Sequence, residues 1–163
     1  MIPRNEHPNP NLYRENYIIL NGEWDFDFDF GNSGIDRKLY NADTEFSKKI
    51  NVPFCPESEL SGIGYKDFIP AVWYKRVVNI TPEQLAMGKA FIIFGAVDFH
   101  SKVFVNGELA GEHYGGYTTF RVDATKHLKE GDNVITVYAE DDTRDFRQAR
   151  GKQSELYYSH SCD

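Results

Sequence analysis

Residues 23–30 read Glu-Trp-Asp-Phe-Asp-Phe-Asp-Phe, four aromatics in strict alternation with four acids. Successive side chains on a β-strand point to opposite faces, so this octet can bury one face on a core and leave the other in water. A helix would scatter the same residues around its axis. Asn21-Gly22 on one side and Gly31-Asn32-Ser33-Gly34 on the other supply residues that tolerate the positive φ of tight turns. The acids could also be read as a metal ladder, but a solvated strand face is the simpler account.

Six further strands are predicted at 49–53, 72–80, 90–94, 101–105, 118–122 and 133–139, each rich in β-branched or aromatic residues. Aromatics make up 15% of the chain, a surplus that suits a half-buried pleated surface. Phe91-Ile92-Ile93-Phe94 is continuously apolar and predicts a central strand covered on both faces. Asn106-Gly107 lies between two apolar segments and predicts a type I′ hairpin, whose two central residues need positive φ. Helix signals are confined to single turns, one capped by Thr81 with Pro82 in its first position and one within 123–128. Seven or so strands joined by loops predict an all-β antiparallel sandwich, and the absence of a repeat, a linker or a low-complexity tract predicts a single domain over 1–163.

The charge balance is 18 Lys+Arg against 25 Asp+Glu, or −7, which excludes a general binder of phosphate backbones. No apolar run reaches the roughly 18 residues of a membrane span, and the polar start of the chain lacks the apolar stretch of a secretory signal, so no membrane partner and a cytoplasmic setting are expected. Cys55 and Cys162 are too few and too far apart for a disulfide scaffold or a zinc ribbon. His7, His100, His113, His127 and His160 form neither a helical i,i+4 pair nor an H-E-x-x-H motif, so no metal or other cofactor is expected.

Six segments taken together resemble the N-terminal sugar-binding domain of glycoside hydrolase family 2, the β-galactosidase and β-glucuronidase family. They are Leu20-Asn21-Gly22-Glu23-Trp24-Asp25-Phe26, Val52-Pro53-Phe54, Val72-Trp73-Tyr74-Lys75-Arg76, Gly95-Ala96-Val97-Asp98, Val103-Phe104-Val105-Asn106-Gly107 and His113-Tyr114-Gly115-Gly116-Tyr117-Thr118-Thr119-Phe120. Their order and spacing follow the family pattern across nearly the whole chain. Most also have a purely structural reading: Trp24, Trp73 and Phe94 as core residues, Gly115-Gly116 as a backbone bend or close approach, and His113 as a side chain that satisfies a neighbouring group.

The resemblance implies a jelly-roll-like β-sandwich, followed in the family by an immunoglobulin-like sandwich and a (β/α)₈ barrel. Retaining hydrolysis needs two carboxyl groups about 5–5.5 Å apart across the scissile bond. The resemblance places that pair in the barrel, so this chain is expected to be inactive alone and to act with the barrel on a carbohydrate. It also implies that one more sandwich strand follows Asp163, so that an uncovered sheet edge and self-association through it are expected. The stretch 144–163 is expected to be poorly ordered or held by a neighbour.

The family's sandwich also lends an aspartate to the sugar subsite, and the resemblance assigns that role to Asp163, with Asp142, Glu57 and Ser58 as further substrate-binding candidates. A carboxylate suits such a role because it accepts two hydrogen bonds from adjacent hydroxyls. Arg150 and Lys152 read better as solvated loop residues. The acid pairs Glu57/Glu59, Asp141/Asp142 and Asp142/Asp145 read as solubilising loop acids rather than as a catalytic dyad. The competing classes are a free-standing carbohydrate-binding module or lectin, an enzyme complete in itself, and a scaffold module docking through an apolar patch.

Overall fold

The computed structural model describes residues 3–6 and 16–142. The aromatic-acid octet forms β1 (Gly22–Phe28), followed by β2 (Lys48–Val52), β3 (Ala71–Ile80), the short helix α1 (Pro82–Ala86), β4 (Phe91–Phe94), β5 (His100–Val105), β6 (Glu108–Tyr114), β7 (Phe120–Asp123) and β8 (Gly131–Glu140). Among the described residues six strands make one antiparallel sheet in the order β2-β1-β3-β8-β5-β6, and β4 pairs with β7 alone. The all-β antiparallel sandwich expected from the sequence is the fold of the chain.

Alternation in β1 places Trp24 and Phe26 in the main core with Ile50, Val103, Val105, Ile135 and Val137. The β4-β7 pair closes this core from the other side through Ile92 and Val122. Here the sequence reading needs correction. Phe91-Ile92-Ile93-Phe94 is not a central strand covered on both faces: Ile93 is 65% exposed and Phe91 is exposed as well. A two-stranded sheet has only one core to face, so the period-2 rule governs burial even in an unbroken apolar run.

The opposite face of the large sheet is also apolar, with Ala71, Trp73, Phe104 and Tyr138 forming a second cluster. The β1-β2 connection covers it with Ile35, Leu39, Tyr40 and Phe46, and Tyr40 stacks on Phe104 at 4.7 Å between ring centroids. Two buried polar groups fasten this cover. Lys75, in β3, is buried and donates to the carbonyls of Asn41 and Thr44 while lying over the Phe46 ring.

Asp29 is the other fastening. Although it continues the acid series of β1, it is buried rather than solvated. Its carboxylate accepts from the backbone N–H groups of Ser33 (3.1 Å) and Gly34 (2.7 Å), from Trp73 Nε1 (3.1 Å) and from Arg37 (3.0 Å). A side chain on Gly34 would overlap Trp73 and this carboxylate, which explains the glycine there.

The local signals hold where the sequence placed them. Asn106 (φ 54°) and Gly107 (φ 85°) make the β5-β6 turn, with Val105 paired to Glu108. Thr81 and Gln84 form a reciprocal capping box at the start of α1. Among the described residues no helix is long and apolar enough to cross a membrane.

Burial works to raise the Asp29 pKa, but the hydrogen bonds from Trp73, Ser33, Gly34 and Arg37 outweigh it and hold the carboxyl below its usual range. A carboxyl depressed in this way stabilises the fold above its unfolded pKa of about 3.9 and loses that contribution as pH falls through the folded value. Asp29→Ala is expected to cost about 2–4 kcal/mol of unfolding free energy at neutral pH, since it orphans buried donors. Urea denaturation at neutral pH and at about pH 3 checks this, with the gap between wild type and variant narrowing in acid.

Candidate functional site

Strand register brings several loops to one end of the sandwich. Ala71 pairs with Glu140, Glu140 with His100, and His100 with Tyr114, so β3 begins, β8 ends, β5 begins and β6 ends at the same level. Backbone bonds tie the loops there: Phe99 N–H to Glu140 O, Gly115 N–H to Phe99 O, and Asp141 N–H to Pro70 O. The β2-β3 connection runs back along the sandwich from Val52 to Ala71 and carries Glu57 toward this end.

Three carboxyl groups converge here from three separate segments. Burial, foremost, and the charge of Asp141 push Asp98 up to about 6. The same two causes raise Glu57, against which its own backbone N–H and a hydrogen bond from Cys55 work only in part. Tyr74, beneath them on β3, is pushed well above the usual phenol range by burial, with the charges of Glu57 and Cys55 adding to it. Asp98 Oδ1 is buried with no hydrogen-bond partner among the described residues and lies against the backbone of Gly116, where any side chain would overlap it. The close approach expected at Gly115-Gly116 is therefore present, and Asp98 is what it accommodates.

Of the sequence-predicted residues, Glu57 is half-buried within this cluster. Its neighbour Ser58 is buried and caps the single 3-10 turn Glu59–Ser61, its hydroxyl accepting the Leu60 N–H at 3.2 Å. Asp142 is half-buried directly after Asp141, just past the end of β8. Asp163, Asp145, Cys162 and the expected loose stretch 144–163 lie outside the described residues. Asp98 and Asp141 were missed as a pair: Asp98 was noted only within Gly95-Ala96-Val97-Asp98, and their proximity depends on β5-β8 pairing. His113 stacks on Phe120 at 4.1 Å, with Nε2 3.5 Å from Thr118 Oγ1.

An inter-strand ion cluster borders the carboxyl end. His100 Nε2 lies 2.6 Å from Glu112 and Nδ1 lies 3.1 Å from Glu140, while the Tyr114 ring stacks parallel to the imidazole at 4.1 Å. Asn32 donates to Glu140 at 2.7 Å and accepts from the Tyr138 hydroxyl at 2.6 Å. These contacts link β5, β6, β8 and the β1-β2 connection, which holds the loop ends in register. Among the described residues no group of three or more His, Cys, Asp or Glu side chains is arranged to hold a metal ion.

The chain is thus a two-sheet antiparallel sandwich with its loops gathered around carboxyl groups at one end. The chain matches the glycosyl hydrolases family 2, sugar binding domain, over residues 59–146, more than half its length, and it belongs to that family. A β-galactosidase of Thermoanaerobacter pseudethanolicus is 39% identical over 74 residues, covering 44% of this chain and 10% of that protein. A β-glucuronidase of Paenibacillus borealis is 27% identical over 119 residues, covering 72% of this chain and 20% of that protein. The solved Lactobacillus rhamnosus β-glucuronidase superposes with a TM-score of 0.66 at 26% identity, over 76% of this chain and 21% of that one. The chain thus spans between 10% and 21% of the length of these β-galactosidase and β-glucuronidase relatives.

A carboxyl whose folded pKa is raised destabilises the fold as pH climbs from its unfolded value toward its folded one. For Asp98 that window runs from about 4 to about 6. Asp98→Asn is expected to raise unfolding free energy at about pH 7.5 by about 1–2 kcal/mol, less than the full shift because the group keeps some contact with water. Near pH 3.5, below both values, the two proteins are expected to coincide. Thermal unfolding across that range checks this.

Proposed function

We propose that the chain is the non-catalytic sugar-binding domain of a family 2 retaining β-glycosidase and lends loops to the sugar subsite of that longer enzyme. The single domain over 1–163 acts with the enzyme's barrel on a β-glycoside, and the carboxyl pair that breaks the bond resides in the barrel. The observation that carries this reading is the convergence of Glu57, Asp98 and Asp141 at one end of a family 2 sugar-binding fold. Partly buried carboxyl groups are costly to hold together, and a sugar hydroxyl can supply the hydrogen bond that Asp98 Oδ1 lacks among the described residues.

Within this reading the substrate-binding set is Asp163, Asp142, Glu57 and Ser58. Glu57 has the setting that suits the role best, while Ser58 fixes the turn that holds Glu57 in place. Asp142 follows Asp141 at the β8 exit, and Asp163 lies further along the same segment. Each carboxylate would accept hydrogen bonds from neighbouring hydroxyls, and bonds to charged acceptors are the stronger class.

The purified 163-residue chain is expected to leave nitrophenyl β-glycosides intact, while the longer enzyme containing it hydrolyses one of them. Glu57→Gln and Asp142→Asn in that longer enzyme are each expected to lower kcat/KM by roughly 10–100-fold, the range for losing a charge-assisted hydrogen bond. Turnover by the chain alone would overturn the non-catalytic role. Full kcat/KM in both variants would remove these residues from the subsite, and micromolar glycan binding by the isolated chain would favour a free-standing lectin.

A further inference from the structure

The His100 imidazole, at the start of β5, touches both strands beside it. On β6 its Nε2 lies 2.6 Å from Glu112 and its face stacks on Tyr114; on β8 its Nδ1 lies 3.1 Å from Glu140. Both strands leave the sheet at this level. Asp141 follows Glu140 directly, and Gly116, against which Asp98 lies, is two residues past Tyr114. Asp98 itself stands two residues before His100. We propose that His100 is a positioning residue: its ring, as the imidazolium, pins the exits of β6 and β8 and so keeps Asp98, Asp141 and the Gly116 backbone together. The effect on sugar binding rests on the carboxyl end being the sugar subsite; the placement itself does not.

Donors and acceptors set the charge state. Ionised carboxylates only accept hydrogen bonds, and a neutral imidazole carries a single N–H, so only the imidazolium can donate to Glu112 and Glu140 at once. The bond from His100, foremost, holds the Glu112 carboxyl below its usual range, with Lys102 and the Tyr114 hydroxyl adding to it against burial. The other oxygen of Glu140 accepts from the Asn32 amide at 2.7 Å, so Oε2 is the one turned to the ring. The titratable groups that face His100 are Glu112 and Tyr114 from β6, Glu140 and Tyr138 from β8 and, through Glu112, Lys102 of its own strand. Loss of the ring proton leaves one carboxylate facing a nitrogen lone pair in place of a donor.

The place of this contact in the ladder gives it leverage. His100 is the last paired residue of β5 on both sides, opposite Tyr114 and Glu140. Past it the backbone continues with Phe99 N–H to Glu140 O and Gly115 N–H to Phe99 O. Strand ends are where a sheet opens first, and a side chain that bonds both neighbours at the last rung opposes that opening.

The test follows the 163-residue chain by NMR without sugar. In the wild-type chain, hydrogen-exchange protection of the Phe99 and Gly115 amides is expected to fall roughly tenfold as pH rises through the titration of His100, read at its ring protons. The Asn106 amide, which bonds Val134 O just past the far end of β5, is expected to keep its protection over the same range. His100→Phe keeps a ring against Tyr114 but donates nothing, and is expected to show the low protection at every pH. His100→Arg, whose guanidinium stays charged and can donate to both carboxylates, is expected to restore high protection without the pH step. Asp98 supplies the sign, since burial and Asp141 push its carboxyl up to about 6. In His100→Phe it is expected to titrate nearer the ordinary value of about 4, because water enters and Asp141 moves away. Loss of a positive charge with no movement would raise it instead. No sugar enters these measurements, so they fail separately from the Glu57→Gln kinetics that read the subsite. An unchanged or raised Asp98 midpoint in His100→Phe, protection at Phe99 and Gly115 that ignores the His100 titration, or an equal loss at Asn106 would each overturn the proposal.

Discussion

Asp29 stands where β1 leaves the sheet, and its carboxylate gathers two backbone N–H groups, the Trp73 indole and the Arg37 guanidinium. Most antiparallel sheets can leave one face in water. This one cannot, because Trp73, Phe104 and Tyr138 make its second face apolar. The β1-β2 connection must therefore stay down on that face. A long connection costs conformational entropy to order, and it contains little regular structure of its own to repay that cost. Asp29 at its start and Lys75 near its end supply directional bonds instead, each from a charged group that is itself buried. Removing either would leave an unpaired charge or orphaned donors rather than a tolerable gap.

How far the sequence could be read follows from which forces are local. The β1 alternation, the Asn106-Gly107 turn and the Thr81-Gln84 box are fixed by backbone geometry within a few residues, and they were legible. Phe91-Ile92-Ile93-Phe94 misled because an unbroken apolar run says nothing about how many partners a strand has. Only the pairing of β4 with β7 alone settles that Ile93 faces outward. Asp29 was hidden for the opposite reason: it obeys the strand's period but lies one step past the pleat that gives the period its meaning.

The candidate site shows the same divide. Glu57 and Asp142 could be named from the chain, because a family resemblance marks loops. What could not be read is that Asp98 and Asp141 meet, since a separation of more than forty residues is closed only when β5 pairs with β8. Gly115-Gly116 signalled a close approach without saying to what. The answer is a carboxyl oxygen, buried and without a donor among the described residues. Polar groups in that state raise the free energy of the folded chain, and folds retain them where a partner arrives later.

The two ends of β2 differ in chemistry. At its start, Lys48 and the rings of Phe28 and Tyr65 form a surface that is apolar and cationic. Beyond its end, the connection to β3 carries Glu57 toward Asp141, whose charge helps to raise both Glu57 and Asp98. Both surfaces hang on the same connection, since Tyr65 and Glu57 are eight residues apart and Tyr65 N–H bonds the carbonyl of Pro56. That backbone bond closes the connection on itself, so the stretch carrying Tyr65 and the stretch carrying Glu57 are held together rather than free to move apart.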